Sequence, residues 1–375
     1  MALPAVVAAL VATGGVAAPR APALLDFTAD ERASILSHGP WPPAAAVDTS
    51  NRVMASPAAA ALGRRLFFDA RLSDGAGIAC ATCHIPARAF QDSRPVAQGA
   101  GAGTRNTPGL LDSAHRRWFG WDGASDSLWA ASLRPIVSPQ EMRGSAPATA
   151  RLVRGDARLA AAYRQAFGAL PADDEAVLVG VAKAVAAYQA TLRSPRTAFD
   201  HFRAALERGD HAAAPRYPLA AQRGLRLFGG EGRCQVCHVG PHFTNGEFAD
   251  VGVPFFVPGG ADPGRFGGIR ALRESRYNRL GPFADDGGAG AVATRHVELA
   301  PRHFGEFKVP GLRGLVDTAP YMHDGQLATL ADVIRHYSEL DPSRLHADGE
   351  RILRPLKLSP QAASDLEAFL RTLSR

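Results

Sequence analysis

Two short strings of cysteine and histidine carry the clearest chemical signal in this chain. One reads CATCH and the other CQVCH, and together they use all four cysteines. In each string, two thiols three positions apart can add across the two vinyl groups of one haem, while the adjacent histidine binds the iron. The sequence therefore predicts two covalently bound haems c. Their thioether cysteines would be Cys80, Cys83, Cys234 and Cys237, and their proximal iron ligands His84 and His238.

Other kinds of cysteine site explain this pattern less completely than haem attachment does. A Cys-x-x-Cys pair also suits a redox disulfide or one half of a zinc site. A zinc site would have to join strings that begin as far apart as Cys80 and Cys234. A redox disulfide needs no histidine directly after its second cysteine, yet here that histidine occurs in both strings. Covalent haem is therefore the favoured interpretation.

The segments before the two strings are also repeated. GRRLF at residues 63–67 precedes the first string, and GLRLF at residues 224–228 precedes the second. Each is expected to be the end of a short amphipathic helix that leads into a haem loop. We predict two cytochrome c-like domains at residues 48–206 and 220–375, with the polar, Pro-containing segment 207–219 as their linker.

Helical periodicity dominates the rest of the chain. Apolar residues recur at helical spacing in Val177 to Leu192 and in Thr329 to Leu340, whereas alternating runs typical of strands are scarce. In the last helix, Ser359 is expected to cap the first turn and Pro360 to take the first position. The 38 glycines and 28 prolines cluster between apolar segments, which indicates long ordered loops. The predicted fold class is mainly α.

The N-terminus indicates export. Residues 1–18 are predicted to be a signal peptide, because an uncharged run rich in Ala, Val and Leu ends in small residues. No Lys or Arg precedes the run, so an uncleaved anchor or a misassigned start are the alternatives. Residues 19–47 would form an N-terminal arm. Since no other stretch reaches the roughly 20 apolar residues of a membrane-spanning helix, we expect a periplasmic protein without stable membrane insertion.

The charge of the chain gives a weaker indication of its partners. A formal net charge of +6 is modest for 375 residues, and the Lys and Arg residues are scattered rather than grouped. Nucleic acid is therefore not an expected partner. A weak attraction to acidic redox proteins remains an alternative.

Four further strings resemble the bacterial di-haem cytochrome c peroxidase and MauG superfamily. They are RNTPGLL at residues 105–111, WDG at 121–123, PQEM at 139–142 and KVPGLRGLVDTAPYMHDG at 308–325, in the family's order. The resemblance spans roughly residues 50–375. It implies two haems at the interface of two cytochrome c-like domains. One haem would react with hydrogen peroxide, and the other would store or relay electrons.

By this resemblance, the haem bound through His84 would be the peroxide-reactive one. Family members that need reductive activation have a second histidine ligand some 16 residues after the proximal one, and that position is Ala100 here. The nearest downstream histidine is His115. We therefore expect an iron whose distal side is open or bound by water.

Glu141 matches the family's distal acid, which takes a proton from peroxide and returns it to the leaving oxygen. The residues Ser138 to Glu141 also match a capping box, in which Glu141 would only satisfy a helix N-terminus. The family's distal glutamine falls at Ala131, so one hydrogen-bonding partner of the peroxide is missing.

The resemblance assigns the second haem a tyrosine ligand, as in the MauG branch of the family. Tyr337 lies 14 residues after His323, where other branches have a methionine. Local periodicity agrees, because Thr329 and Asp332 predict a helix start that places Tyr337 on the buried stripe. The alternatives are a buried tyrosine whose hydroxyl bonds to backbone, or ligation by Met322 or His336.

Further roles come from the resemblance alone. Trp121 would lie between the haems and carry charge, with a plain core aromatic as the alternative. His323 would position groups or relay protons, or else be an ordinary buried histidine. The family's calcium ligands match Asn106, through its side chain, and Thr318 and Pro320, through their carbonyl oxygens, a donor set that suits Ca²⁺.

The expected activity is peroxide-driven formation of high-valent haem, which then oxidises a protein substrate or a redox partner. One alternative is removal of peroxide with electrons from a small cytochrome or cupredoxin. The other is a pure electron carrier, which the loss of glutamine at Ala131 keeps open. In MauG, a surface tryptophan two residues before the second CxxCH string relays oxidation to the substrate, and Gly232 stands there in this chain.

Overall fold

The computed structural model describes residues 24–44, 47–257, 260–349 and 352–375. The predicted signal segment 1–18 lies outside these residues. Helices are the main elements, as predicted, and they are joined by long loops. They are α1 (Ala29–Ser37), α2 (Pro57–Phe67), α3 (Cys80–Cys83), α4 (Leu128–Val137), α5 (Ala146–Gly155), α6 (Ala157–Phe167), α7 (Asp174–Gln189), α8 (Ala198–Glu207), α9 (Leu219–Gly229), α10 (Arg265–Glu274), α11 (Val292–His296), α12 (Leu330–Ser338) and α13 (Pro360–Arg371).

Strands are short and marginal in the described chain. β1 (Phe248–Ala249) pairs antiparallel with β4 (Phe307–Lys308), and β2 (Phe256–Val257) pairs with β3 (Gly260–Ala261). Among the described residues, no helix combines the length and the apolar character needed to cross a bilayer.

The first hydrophobic core is built around the crossing of α2 and α7. Ser56 caps α2, and Pro57 takes its first turn. α7 is buried along nearly its whole length, from Val177 to Gln189. The helices can approach closely because Gly63 has no side chain: a Cβ there would lie 1.9 Å from the carbonyl oxygen of Ala184.

The second core repeats this crossing with α9 and α13. A Cβ on Gly224 would lie 1.9 Å from the carbonyl oxygen of Asp365, so the repeated glycine serves the same purpose in both units. The prediction for the last helix is confirmed. Ser359 caps it, Pro360 starts it, and its buried stripe includes Leu366, Phe369, Leu370 and Leu373.

The second core also includes residues from outside the predicted C-terminal domain. Phe199 and Phe202 of α8 pack in it, as do Phe27 and Ile35 of the N-terminal arm. Tyr217, from the predicted linker, stacks on Phe202 with ring centroids 4.2 Å apart. The two cores therefore divide before α8, upstream of the predicted boundary at residue 206, and the arm and linker are packed parts of the second unit.

Candidate haem sites

Both CxxCH strings present their histidines in the same way. In the first unit, Nδ1 of His84 donates to the carbonyl oxygen of Phe90 at 2.9 Å. In the second, Nδ1 of His238 donates to the carbonyl oxygen of Phe243, also at 2.9 Å. Each bond fixes the tautomer, so Nε2 is the nitrogen that would bind iron, as in metal-bound histidines whose other nitrogen has an outer partner. The imidazole of His238 also has the Pro310 carbonyl group within hydrogen-bonding range, whereas His84 has no second such carbonyl among the described residues.

The two histidines have matching surroundings. Phe67, at the end of α2, lies 6.4 Å from the His84 ring, and Phe228 of α9 lies 6.5 Å from the His238 ring, centroid to centroid. Burial lowers the pKa of both imidazoles below the usual value of 6.5. Both rings are therefore held neutral, which is the form that binds a metal.

The thiols fit haem attachment better than zinc or a redox disulfide. None of the four cysteines forms a disulfide, and burial raises the pKa of Cys80 and Cys234 to about 12. Zinc is bound by thiolates, which such environments disfavour. Within the described part of the chain, no three or more His, Cys, Asp or Glu side chains form a group that could hold a metal ion.

A cavity of about 1030 Å³ opens beside the second string. The residues that line it include Cys234, Cys237 and His238 of the second string, and also Tyr337 and Trp121. Its volume is at the upper end of the range for pockets that take cofactor-sized ligands. The residues present thus fit a haem held through the two thiols and His238.

Tyr337 lies on this cavity as its helical register predicts. Thr329 and Asp332 form the predicted capping box at the start of α12. Burial raises the pKa of the Tyr337 phenol, and the nearby Cys234 and Cys237 raise it further. Since no hydrogen bond to its hydroxyl is found among the described residues, the alternative of a backbone-bonded tyrosine is not supported.

The two competing ligands for the second haem are placed differently. Nε2 of His336 donates to the carbonyl oxygen of Val251 at 2.7 Å, so this nitrogen is already engaged. Met322 lines the same cavity as Tyr337. Tyr337 as the iron ligand stays a prediction, with Met322 as its remaining competitor.

Glu141 does not cap a helix. α4 ends at Val137, Ser138 to Met142 form a turn, and α5 begins only at Ala146, where Ser145 is the cap. The sequence therefore contains the capping-box pattern at a place where no helix begins. Burial raises the pKa of the Glu141 carboxyl, while Arg134 and a hydrogen bond from Ser138 partly oppose this shift.

Glu141 lies near the first CxxCH string. After burial, the Glu141 carboxylate is one of the charges that raise the pKa of Cys80 and Cys83, so it lies within electrostatic range of both thiols. It remains accessible to solvent, although the surrounding protein desolvates its carboxyl. Ala100 N–H donates to the Glu141 carbonyl oxygen at 2.8 Å, so Ala100 lies beside this acid.

The two other positions considered for the first haem are occupied by packing interactions. The His115 ring lies against His242 of the second unit, with ring centroids 4.6 Å apart. Ala131 packs against the first hydrophobic core. Ala131 has no side-chain donor to offer the Glu141 carboxylate.

Trp121 lies where the two units meet. Its Nε1 donates to the carbonyl oxygen of Asn106 at 2.8 Å, and its own carbonyl accepts from Lys308 N–H at 2.8 Å. Asn106 precedes Trp121 in the first unit, whereas Lys308 belongs to β4 of the second. The indole is therefore held by both units on the wall of the cavity.

His323 is buried beside this tryptophan network. Its ring stacks on Phe307 with centroids 3.5 Å apart, and its carbonyl oxygen accepts from Asn106 N–H at 2.7 Å. Burial lowers the pKa of the His323 imidazole to about 4, so the ring is neutral at neutral pH. This placement suits a positioning role, and proton relay stays a prediction.

An ion-pair network that no local sequence pattern indicates joins the units here. Arg105 forms salt bridges with Asp122 at 2.6 Å and with Asp262 at 2.6 Å. Asp122 adjoins Trp121, and Asp262 comes from the second unit. The adjacency of Arg105 to Asn106 was visible in the sequence, but its partners follow only from the fold.

The predicted calcium ligands are brought together, yet the space between them is taken. The side-chain oxygen of Asn106 and the carbonyl oxygen of Thr318 lie 3.5 Å and 3.2 Å from Nε2 of Gln91. Pro320 lines the same cavity. An amide N–H₂ group therefore points where a cation would have to bind, and the residues do not fit calcium in this arrangement.

The comparisons with known proteins agree with this geometry. A family model described as "Di-haem cytochrome c peroxidase" matches residues 57–208. The methylamine utilization protein MauG of Methylorubrum extorquens is 35% identical over 320 residues, covering 85% of this chain and 78% of that protein. The cytochrome-c peroxidase IdrP1 of Denitromonas iodatirespirans is 32% identical, covering 90% of this chain and 86% of that protein.

Solved structures extend the similarity to the whole fold. A MauG-like protein associated with microbial copper homeostasis superposes with a TM-score of 0.67 at 28% identity, covering 90% of this chain and 95% of that one. The dihaem peroxidase BthA from Burkholderia thailandensis gives 0.67 at 25% identity, covering 88% and 89%. The predicted resemblance, the fold class and the two c-type haems are confirmed. This chain belongs to the di-haem cytochrome c peroxidase and MauG family, and it is an oxidoreductase of the di-haem peroxidase type.

Proposed function

We propose that this protein is an exported, MauG-like enzyme that uses hydrogen peroxide to oxidise a protein substrate or a redox-partner protein. The bound haems would supply the redox chemistry, taking two electrons in all from the substrate side and passing them to peroxide. The observation that carries the proposal is the pairing of Glu141 with Ala100 next to the first CxxCH string. An acid is present there, and a blocking histidine is not.

Glu141 is the proton-transfer group of the proposal. As a carboxylate it accepts the proton of peroxide, and as a carboxylic acid it returns that proton to the departing oxygen, so that water leaves. Its raised pKa brings both protonation states closer to neutral pH, which suits this double role. Arg134 lies within electrostatic range of the carboxylate and limits the rise in its pKa.

Tyr337 and Trp121 give the second site its role. An anionic phenolate on iron stabilises oxidised states and lowers the reduction potential relative to a neutral methionine. A site of this kind stores oxidising equivalents. Trp121, held by hydrogen bonds from both units, provides an aromatic path between the sites.

Gly232 favours a second candidate function. It lines the cavity next to Cys234, where MauG has the tryptophan that relays oxidation to a protein. An enzyme without that relay could instead remove peroxide with electrons from a small cytochrome or cupredoxin. The relatives named cytochrome-c peroxidase support this alternative. Ala131 keeps a third candidate, an electron carrier that does not react with peroxide.

One experiment on the fully oxidised protein separates these candidates. EPR should show one high-spin and one low-spin ferric signal, with the high-spin signal from the His84 haem. Mixing with stoichiometric peroxide should bleach the ferric Soret band within seconds, with no prior reduction. An inert high-spin haem would assign the protein to the electron carriers, and two low-spin haems would reveal a distal ligand. Once peroxide reacts, steady-state turnover with a reduced small cytochrome would favour the peroxidase over the protein-oxidising enzyme.

A further inference from the structure

Gln91 is a buried side chain in the first unit that reaches across to the second. Only 1% of its surface is exposed. Its Nε2 donates to the carbonyl oxygen of Thr318 at 3.2 Å and points toward the side-chain oxygen of Asn106 at 3.5 Å. Its Oε1 accepts from Ser93 N–H at 2.7 Å. One amide thus connects three groups, one of which lies 227 positions away in the sequence.

The hydrogen bonds fix which end of each amide points where. Ser93 N–H is a donor, so the oxygen of Gln91 must face it and the N–H₂ group must face Asn106 and Thr318. Nδ2 of Asn106 donates to the carbonyl oxygen of Arg94 at 2.7 Å, which turns its oxygen toward Gln91. Each of these donor groups therefore faces an acceptor. Turning Gln91 over would set its oxygen against two other oxygens and its N–H₂ group against the N–H of Ser93.

We propose that Gln91 is a positioning residue that bridges Asn106 and Thr318 in place of a calcium ion, so that the assembled enzyme does not require calcium. Both arrangements satisfy the same two oxygens, one by hydrogen bonds and the other by a cation. A cation could enter only if the Gln91 amide swung away. That movement would leave Ser93 N–H without its acceptor, at a cost in free energy.

The bridge also acts on Trp121 through Asn106. The backbone of Asn106 accepts from Trp121 Nε1 and donates to the carbonyl oxygen of His323. Its side chain is held by Gln91 and Arg94. Fixing this one residue therefore fixes the indole on the cavity wall and ties the two units together at that point.

The wild-type holoenzyme provides the first test. After treatment with EGTA and gel filtration, metal analysis should find less than about 0.1 calcium per chain. The melting temperature should be the same, within about 1 °C, in EGTA and in 1 mM CaCl₂. Roughly one calcium per chain, or a melting temperature that falls in EGTA, would overturn the proposal. Haem content and the peroxide reaction, measured on the same sample, keep this outcome separate from the proposed function.

The variant Gln91→Glu tests the bridge itself. It keeps the shape of the side chain but replaces the N–H₂ group with a carboxylate oxygen facing two other oxygens, an arrangement that a cation stabilises. We expect this variant to melt roughly 5 °C lower than wild type in EGTA, and CaCl₂ to restore the loss with about one bound calcium. Gln165→Glu, an exposed glutamine on α6, is the matched control and should respond to neither reagent.

The outcomes of the variant experiment are decisive in both directions. Restoration by calcium in Gln91→Glu, but not by magnesium at the same concentration, supports a bridge that stands in for a calcium site. A Gln91→Glu protein as stable as wild type in EGTA would contradict the proposal, because the donor end of Gln91 would then have no function. If the variant does not accumulate, Gln91→Ser offers a smaller side chain that opens the site, and it should also gain calcium-dependent stability.

Discussion

The two haem units share their scaffold and differ in the side chains that lie near each CxxCH string. The crossing of two helices recurs in both units. The distance from the histidine Nδ1 to the carbonyl oxygen that fixes its tautomer, and the distance from the imidazole ring to the neighbouring phenylalanine ring, are nearly equal for His84 and His238. The Glu141 carboxylate lies within electrostatic range of the first pair of thiols, and Tyr337 lies within range of the second pair. The comparison teaches that the repeated scaffold presents both CxxCH strings in the same way, and under the proposed function a single residue near each string sets what its haem does.

The second unit is also stabilised by two segments that have no counterpart in the first unit, the N-terminal arm and α8. His38, from the N-terminal arm, stacks on Phe243 with ring centroids 4.4 Å apart, directly behind the carbonyl group that holds His238. Arg313 forms a fully buried, two-pronged pair with Asp200 of α8, at 2.9 and 2.8 Å. These contacts stabilise the surroundings of the His238 string.

Removing the cysteines that attach haem is expected to cause the largest change, because one of the two units would lose its haem. Cys80→Ala with Cys83→Ala should leave one haem per chain, and Cys234→Ala with Cys237→Ala should leave the other. Alkaline pyridine spectra of denatured protein count the haems, with two expected for wild type. Retention of two covalent haems in either double variant would contradict the assignment of the strings.

Glu141→Gln should remove the chemistry of the first unit without removing its haem. If Glu141 moves protons, the bleaching of the ferric Soret band by peroxide should slow by roughly 10²- to 10⁴-fold. Haem content and the low-spin EPR signal should not change. A variant as fast as wild type would show that the carboxylate takes no part in the reaction.

The pH dependence of the same step sharpens this test. The carboxylate form of Glu141 accepts the proton of peroxide, so the rate should rise with pH as the group ionises. Because burial raises the pKa of Glu141, the inflection should lie above the usual value of 4.5. Stopped-flow rates across the pH range should show this inflection in wild type and lose it in Glu141→Gln.

Tyr337→Met should bring the second unit closer to an ordinary electron-transfer haem. Loss of the anionic ligand should raise the reduction potential of the low-spin haem, by an amount on the order of 100 mV. Spectroelectrochemistry measures the shift, and Tyr337→Phe shows whether the hydroxyl is the ligating group. Unchanged ligand-field spectra in both variants would exclude Tyr337 and direct attention to Met322.

The smallest expected effects come from the two crossing glycines. Gly63→Ala and Gly224→Ala would each place a Cβ about 1.9 Å from a backbone oxygen, so each should lower the free energy of unfolding by about 1–3 kcal/mol. Denaturant titrations should give similar losses for both if the scaffolds are equivalent. Gly155→Ala, at the exposed end of α5 with open space around it, is the matched control and should be neutral or slightly stabilising.

Local patterns in the sequence were sufficient for much of this protein. The CxxCH strings, the repeated helix ends, the capping box at Thr329 and the caps of the last helix are all short-range, and each is found as predicted. The register of Tyr337 follows from the same helix. These features depend on residues within one or two turns of each other, so composition and spacing determine them.

The tertiary structure decided the features that depend on residues far apart in the sequence. Ser138 to Glu141 match a capping box in sequence, but Met142 N–H bonds back to Pro135 and the chain turns instead of starting a helix. α8 joins the second core although the sequence placed it in the first domain. Gln91 meets Thr318 only because the two units dock. Contacts of this kind join residues hundreds of positions apart, and no local pattern encodes them, since they arise from the packing of surfaces that exist only once the helices have formed.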